Sequence, residues 1–397
     1  MASEDTPTIV FLSGSKLHLL AGAAEPTVFE SRFGQEIRDR AAQLQHKHSW
    51  KTKGRGAQFM SGGLLWGMDQ SDPSRIRIAM KGLCRGREPG QVLYSLDTSE
   101  VGGVFAVDTG SGEERRLFHG AGDHVEHLGA SPGSTRIACA LHREGVANLA
   151  VMNVDGSELT EVTEGDSLDL APSWIPGEQD KLVYQSAGVG RDSAGVPVGL
   201  GPFGIHGLDL KQGTVTDLAG DGAHDLLGPR MDAGGGLYYI RRPYRSPSTR
   251  GSVLRALLDF LLFPFRLLFA LFQWLNIFTA RNTGRPLTTA GGPRREGADM
   301  RQLMIWGNLI DADEATRHKT GDDVPALVPS TWQLVRQAGA DASPEVLARG
   351  VLSFDLCDDG RIVYTNGAAI YLLDRDGGRT RVHRAERIEQ VAVLGDG

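Results

Sequence analysis

The residues Asp123-His124-Val125-Glu126-His127 put four side chains of metal-ligating type into five positions, the donor chemistry from which zinc sites are made. On a strand, alternation sends His124 and Glu126 to one face and Val125 and His127 to the other. The set therefore converges on a metal only with help from other segments, and Asp169, His224 and Asp225 are the candidates that recur downstream. A second chemical pattern, Gly129-Ala130-Ser131-Pro132-Gly133, matches the G-x-S-x-G nucleophile elbow in form. That motif needs a helix directly after the serine, whereas a β-rich run follows here, so a serine hydrolase is excluded. His46 and His48, in the basic stretch with Lys47, Trp50, Lys51, Lys53 and Arg55, offer a metal-binding pair or a phosphate-contacting loop. No third ligand lies near and no glycine-rich phosphate loop follows, so the stretch reads as a solvated basic loop. Cys84, Cys139 and Cys357 are far apart and form no C-x-x-C, which predicts reduced thiols, no disulfide framework and no zinc knuckle.

These residues are positioned by a repeating pattern of short strands and turns. Ser131-Pro132-Gly133 makes a tight turn, because proline presets its own φ and glycine supplies the unusual one. Residues 136–141 and 149–154 are β-rich, and Asp155-Gly156 is a hairpin signal leading into 159–162. Similar units follow at Pro172 to Gly177 with 181–185, at Gly228 to Asp232 with 237–240, and at Cys357 to Gly360 with 361–364 and 369–373. Residues 186–204 read as a glycine-rich loop. Strands and turns recurring every 40 to 50 residues or so predict a β-propeller, six-bladed, or seven-bladed if residues 57–83 open an extra unit.

The unit resembles the TolB-type propeller repeat, carried by Ser131-Pro132-Gly133, Ile137-Ala138 and Val151-Met152-Asn153-Val154-Asp155-Gly156-Ser157. The usual aspartate of the first turn is missing, and the separate N-terminal domain of that family has no counterpart. The resemblance implies an all-β propeller and protein binding as the family habit. It implies no particular activity, since propellers host many.

The chain ends carry complementary pieces of one repeat. Residues 8–20 and 27–30 supply two or three strands of a unit without its first, and residues 388–394 are a lone strand. Pairing the tail with the head would close the ring. Residues 35–45 read as a short helix that interrupts this first unit. The net charge of −7 on 397 residues argues against a general nucleic-acid partner. Acidic residues near the N-terminus, with no apolar run, predict no secretory signal and a cytoplasmic location.

One segment breaks the repeat. Residues 1–244 and 331–397 form the propeller, and 245–330 are an insertion. Within it, residues 252–280 are mostly Leu and Phe, with Ser252, Asp259, Arg266, Gln273 and Ala280 recurring every seventh position. On a helix this is a narrow polar stripe on an otherwise apolar surface. A single crossing of a bilayer would leave the two halves of one blade on opposite sides. A hairpin broken at Pro264 would have arms of about 18 Å, short of the ~30 Å hydrocarbon core. The expectation is an interfacial amphipathic helix. Residues 241–301 hold eleven arginines against three acids, which makes this segment +8 and leaves about −15 on the remainder, a polarity suited to an anionic membrane surface. The expected contact residues are Leu254, Leu257, Phe260, Leu261, Phe263, Phe265, Leu268, Phe269, Phe272, Trp274 and Phe278, flanked by Arg281, Arg285, Arg294 and Arg295. A protein partner, a second copy of the chain, or the propeller's own flank are the other surfaces that such a helix could cover. Residues 302–330 give an ambiguous signal, with 303–310 read as a strand and 311–323 as a loop.

Two functions of different class fit this pattern. The first is a non-enzymatic scaffold, peripherally attached to the inner face of the membrane, that binds another protein and needs no cofactor or metal. The alternative is a lactonase-like or lyase-like propeller hydrolase with a metal in the central channel, drawn from Glu126, His127, Asp169, His224 and Asp225.

Overall fold

The structure, a computed structural model, describes residues 6–22, 24–52, 78–98, 101–143, 145–245, 302–305, 308–311, 323–339 and 342–395. The chain divides into two compact units, Met1–Tyr244 with Glu314–Gly397, and Arg245–Asp313. In the second unit the described residues are an antiparallel hairpin, Gln302–Ile305 with Asn308–Asp311. The expected helix at 252–280 and its fifteen contact residues lie outside the described residues.

The first unit is a β-propeller built from antiparallel four-strand meanders. Meander I takes Ile388–Gly395 as its inner strand, followed outward by Thr8–Ser13, Lys16–Leu20 and Thr27–Phe29. Meander II runs Ala79–Arg85, Gln91–Asp97, Val101–Asp108 and Glu114–Ala121. Meander III runs His124–Ala130, Arg136–Arg143, Val146–Asn153 and Thr160–Glu161. Meander IV runs Ser167–Trp174, Lys181–Arg191, Gly204–Asp209 and Thr214–Ala219. Meander V runs His224–Met231, Leu237–Pro243, Gln333–Gln337 and Glu345–Arg349. Meander VI runs Ser353–Leu356, Ile362–Thr365, Ala369–Leu373 and Arg379–Arg384. The inner strands touch one another in a complete circuit, from I through II, III, IV, V and VI back to I.

The ring is closed by the two chain ends, as the complementary fragments predict. Ile9 pairs with Val393, Val10 with Ala392 and Phe11 with Val391. Between meanders the core is apolar, with Ile9, Phe11, Val363, Ile370 and Val391 packed between I and VI. Glycine permits close approach between neighbouring inner strands: a Cβ on Gly82 would lie 2.7 Å from the His127 nitrogen, and one on Gly129 would lie 2.7 Å from the Pro172 oxygen. Both distances are shorter than packed side chains tolerate, so these positions admit no larger residue without moving the neighbouring inner strand.

Three consecutive inner strands carry the same irregularity. The pairing register slips after Glu126, Leu170 and Leu227, and His127, Ala171 and Gly228 take φ of 52°, 52° and 59°. These are β-bulges, which rotate the strand and reset its alternation. Proline follows the bulge at Pro172 and Pro229, where no ladder hydrogen bond is required. The bulge overturns the strict alternation expected for 124–127: Val125 and Leu128 are both buried, one on each side of the inserted residue.

Three segments differ from their sequence reading. The helix is Arg32–Thr52, longer than residues 35–45, and it takes in His46 and His48, which sequence analysis places in a loop. No Gly or Pro interrupts the chain between Gly34 and Gly54, so nothing stops the helix once it is started. Its start is capped by Ser31, whose Oγ accepts the Gly34 N–H at 3.1 Å, and by Glu114 of meander II, which accepts the Arg32 N–H at 2.7 Å. The glycine-rich stretch after Gln185 is a hairpin, because the second strand of meander IV continues to Arg191 and pairs with Pro197–Leu200. Finally, residues 323–332 are a strap with one buried face. Val324, Ala326, Val328 and Trp332 are all 5 % exposed or less. Asn366 Nδ2 donates to the Val324 carbonyl at 2.9 Å, and the Leu327 N–H donates to the Asn366 carbonyl at 2.9 Å. The strap thereby ties meander VI to meander V, whose third strand starts directly after Trp332.

Candidate functional site

The channel has two polar regions. Near the N-terminal ends of the inner strands stand the residues that could have formed a metal site. Glu126 is held by Lys81 of meander II, with Nζ to Oε1 at 2.9 Å, and by His142, whose Nε2 lies 3.4 Å from Oε2. Asp169 accepts the Ser186 hydroxyl at 2.6 Å. His224 Nδ1 lies 2.7 Å from Asp221 Oδ2. Asp225 accepts the Arg242 Nε–H at 2.9 Å and the Phe203 N–H at 3.1 Å. The five candidates thus fall on three different strands, and four of them are committed to other partners. Among the described residues, no three His, Cys, Asp or Glu side chains are placed to hold one metal ion.

The electrostatics follow from this packing. Burial alone would raise the Glu126 carboxyl, but the contact with His142 and the charges of His127, Lys81 and His142 outweigh it and hold the carboxyl well below its usual range. Burial pushes the His127 imidazole down from 6.5 to about 4, opposed by Glu126 and assisted by His142, Arg230 and Lys81. Burial also pushes the Cys84 and Cys139 thiols up to about 12, which keeps them protonated and unreactive at neutral pH.

The second polar region is a basin of about 440 Å³ at the opposite, C-terminal ends of the inner strands, and all six of these strands contribute to its wall. Its chemistry comes from Arg85, Arg230, Arg375, Asp355, Asp358 and Asp359. Asp355 joins three meanders: Oδ1 lies 3.3 Å from Arg230 Nε of V, and Oδ2 accepts the Val393 N–H of I at 2.9 Å. Asp355, Asp358, Asp359 and Arg375 come from meander VI, but Arg85 and Arg230 come from meanders II and V, so no local spacing in the sequence marked the whole set. Their signal was position: Arg85, Arg230 and Asp355 stand near the end of a first strand, Asp358 and Asp359 in the turn after one, and Arg375 in the turn between the last two strands of meander VI.

No family model matches this sequence, and no curated protein matches it. Among solved structures, TolB from Acinetobacter baumannii superposes with a TM-score of 0.52 and 11% identity, over 99% of this chain and 68% of that one. The fold is that of the TolB-type β-propeller. A chain of the nidogen/laminin complex superposes on the TolB-like propeller with a TM-score of 0.53 and 9% identity, over 98% of each chain. An oligogalacturonate lyase in complex with manganese is less similar, with a TM-score of 0.39 and 13% identity over 76% of this chain and 65% of that one. A shared propeller fixes architecture and leaves activity to the side chains.

His127 gives the TolB-like ring an acid-sensitive element. An unfolded chain protonates His127 near its ordinary value of 6.5, whereas the folded chain resists until about 4. Between these values the unfolded state binds more protons, so stability falls as pH falls. Glu126, held below its unfolded value of 4.5, adds a loss of the same sign at lower pH. Urea unfolding between pH 7.5 and 4.5 is expected to show a loss of up to about 3 kcal/mol. His127→Asn retains a side chain that tolerates the left-handed backbone and should flatten the slope between pH 6.5 and 4.5. An unchanged slope in that variant would assign the acid sensitivity elsewhere.

Proposed function

We propose that this chain is a non-enzymatic protein-binding scaffold: a six-bladed propeller, each meander one blade, attached to the cytoplasmic face of an anionic membrane by its insertion. One observation carries the scaffold reading. Glu126, Asp169, His224 and Asp225, the groups a channel catalyst would use, are spent on Lys81 and His142, Ser186, Asp221, and Arg242 with Phe203. Such pairs lock a ring and leave little for substrate chemistry. Recognition then falls to the open basin, which every inner strand helps to line. That a chain of the nidogen/laminin complex shares the fold is consistent with a protein-binding role.

Attachment rests on the apolar, arginine-flanked segment 252–280. Among the described residues no helix is long and apolar enough to cross a membrane. Burying a few Phe and Leu side chains in the interface would contribute on the order of 1.5–3 kcal/mol each, with a salt-sensitive addition from the arginines. Replacing Phe260, Phe265, Phe269 and Trp274 with Ser is expected to abolish co-sedimentation with phosphatidylserine vesicles at any salt concentration. Replacing Arg281, Arg285, Arg294 and Arg295 with Gln should weaken it chiefly at low salt. A parent protein that ignores the vesicles, but forms a dimer that the aromatic variant cannot form, would replace lipid by a second copy of the chain.

A further inference from the structure

The basin described above holds an unequal distribution of satisfied charge, and that inequality says what it would bind. Three of its aspartates are consumed within the protein. Asp232 accepts the Gly234 and Gly236 N–H groups at 2.9 and 2.8 Å and the Tyr238 hydroxyl at 3.0 Å. Asp355 is taken by Arg230 and Val393. Asp359 accepts the Arg361 N–H at 2.8 Å and a guanidinium hydrogen bond from the same residue. Arg230 in turn is engaged by Asp355 and by the Pro229 carbonyl at 3.0 Å.

Two guanidiniums remain with donors to spare. Arg85 has a side chain 50 % exposed, and its ion pair, to Asp358, is 3.6 Å long, beyond hydrogen-bonding distance. Arg375 is exposed, and its Nε would stand 3.1 Å from a Cβ on Gly360, which places it beside the turn that carries Asp358 and Asp359. Across the basin the wall supplied by meanders III and IV is apolar, with Leu128, Ala130, Pro172, Trp174 and Pro176. A basin of this volume holds a few residues of peptide.

Building on the docking role given above, we infer that the basin captures the free C-terminal carboxylate of a partner chain ending in an apolar residue. The carboxylate accepts charge-assisted hydrogen bonds from Arg85 and Arg375, and the last side chain lies against the Leu128–Trp174 wall. Asp358, 71 % exposed and 3.6 Å from Arg85, competes for that donor. Its removal therefore strengthens binding, which is opposite to what a cationic ligand would show.

The test presents the purified full-length chain with two random hexapeptide libraries, one with free C-termini and one amidated, and follows retained peptides by titration. The expected result is retention of the free-acid library with apolar final residues, and about tenfold loss for each of Arg85→Gln and Arg375→Gln. Asp358→Asn should give a few-fold gain. All three side chains are exposed, so unchanged thermal midpoints will separate binding from folding. Equal retention of the amidated library, or weakening by Asp358→Asn, overturns the carboxylate inference and leaves peptide docking in place. Retention of neither library overturns both.

Discussion

A chain ending at Arg387 is expected to show no cooperative unfolding transition. The strand it lacks, Ile388–Gly395, is the inner strand of meander I and pairs along Thr8–Ser13. It also bonds to both neighbours: the Val391 N–H donates to Ser353 Oγ at 3.3 Å, the Val393 N–H to Asp355 at 2.9 Å, and Gln390 Nε2 to the Leu83 carbonyl at 3.4 Å. Its Ile388, Val391, Ala392 and Val393 are all at least nine-tenths buried. Apolar side chains of this kind contribute roughly 1.5–3 kcal/mol each, so their sum approaches the ~5–15 kcal/mol that holds an ordinary domain together. Removing the strand also opens the edge of Thr8–Ser13 and exposes Ile9 and Phe11, which invites aggregation. Circular dichroism melts of parent and truncated chains, with and without a peptide covering residues 386–397, decide the matter. Recovery of a transition on adding the peptide is the expected signature. A truncated chain that melts like the parent would show that ring closure adds nothing.

Closure was legible in the sequence because a propeller repeat has a fixed strand inventory, so a head lacking its first strand and a tail holding one strand identify each other. Turns were legible for a local reason: Ser131-Pro132-Gly133 and Asp155-Gly156 specify backbone angles by residue type, and Gly133 and Gly156 do take φ of 75° and 88°. Features set by contact between repeats were not legible. The bulge at His127 has no proline or glycine to announce it, unlike those at Ala171-Pro172 and Gly228-Pro229, so alternation was carried one residue too far. The strap at 323–332 buries alternate residues, Val324, Ala326 and Val328, but two prolines interrupt it, and the groups that hold it, Asn366 and Tyr371, lie more than 40 residues onward. The basin is the extreme case. Arg85 of meander II meets Asp358 and Arg375 of meander VI only because a first strand of one repeat and two turns of another lie at the same end of the ring, and no spacing along the chain encodes that.

The ion pair of Asp225 with Arg242 lies within the ring, next to the point in sequence where the chain leaves meander V. Arg242 lies in the strand Leu237–Pro243, at the point where the chain leaves meander V, and Trp332 stands where it re-enters. The guanidinium of Arg242 stacks on the Trp332 ring at 4.7 Å and donates through Nε to Asp225 at 2.9 Å, with the two charged side chains 4 % and 6 % exposed. Burial drives the Arg242 guanidinium toward easier deprotonation, and Asp225 opposes it. Asp225 also accepts the Phe203 N–H at 3.1 Å, which fastens meander IV to meander V. Asp225→Ala would strand a buried cation and a buried N–H together, at a cost of about 3–5 kcal/mol. Asp225→Asn keeps an oxygen for the Phe203 N–H and loses the charge, so its loss should be smaller. The double variant Asp225→Leu with Arg242→Met replaces the pair by apolar bulk and should recover much of the stability lost in Asp225→Ala. Chemical denaturation of the four proteins measures all three differences. If Asp225→Ala costs under about 1 kcal/mol, the range of an exposed surface pair, the pair does not fasten meander IV to meander V. If the double variant is less stable than Asp225→Ala, the Arg242–Trp332 stack carries the stability in place of the ion pair.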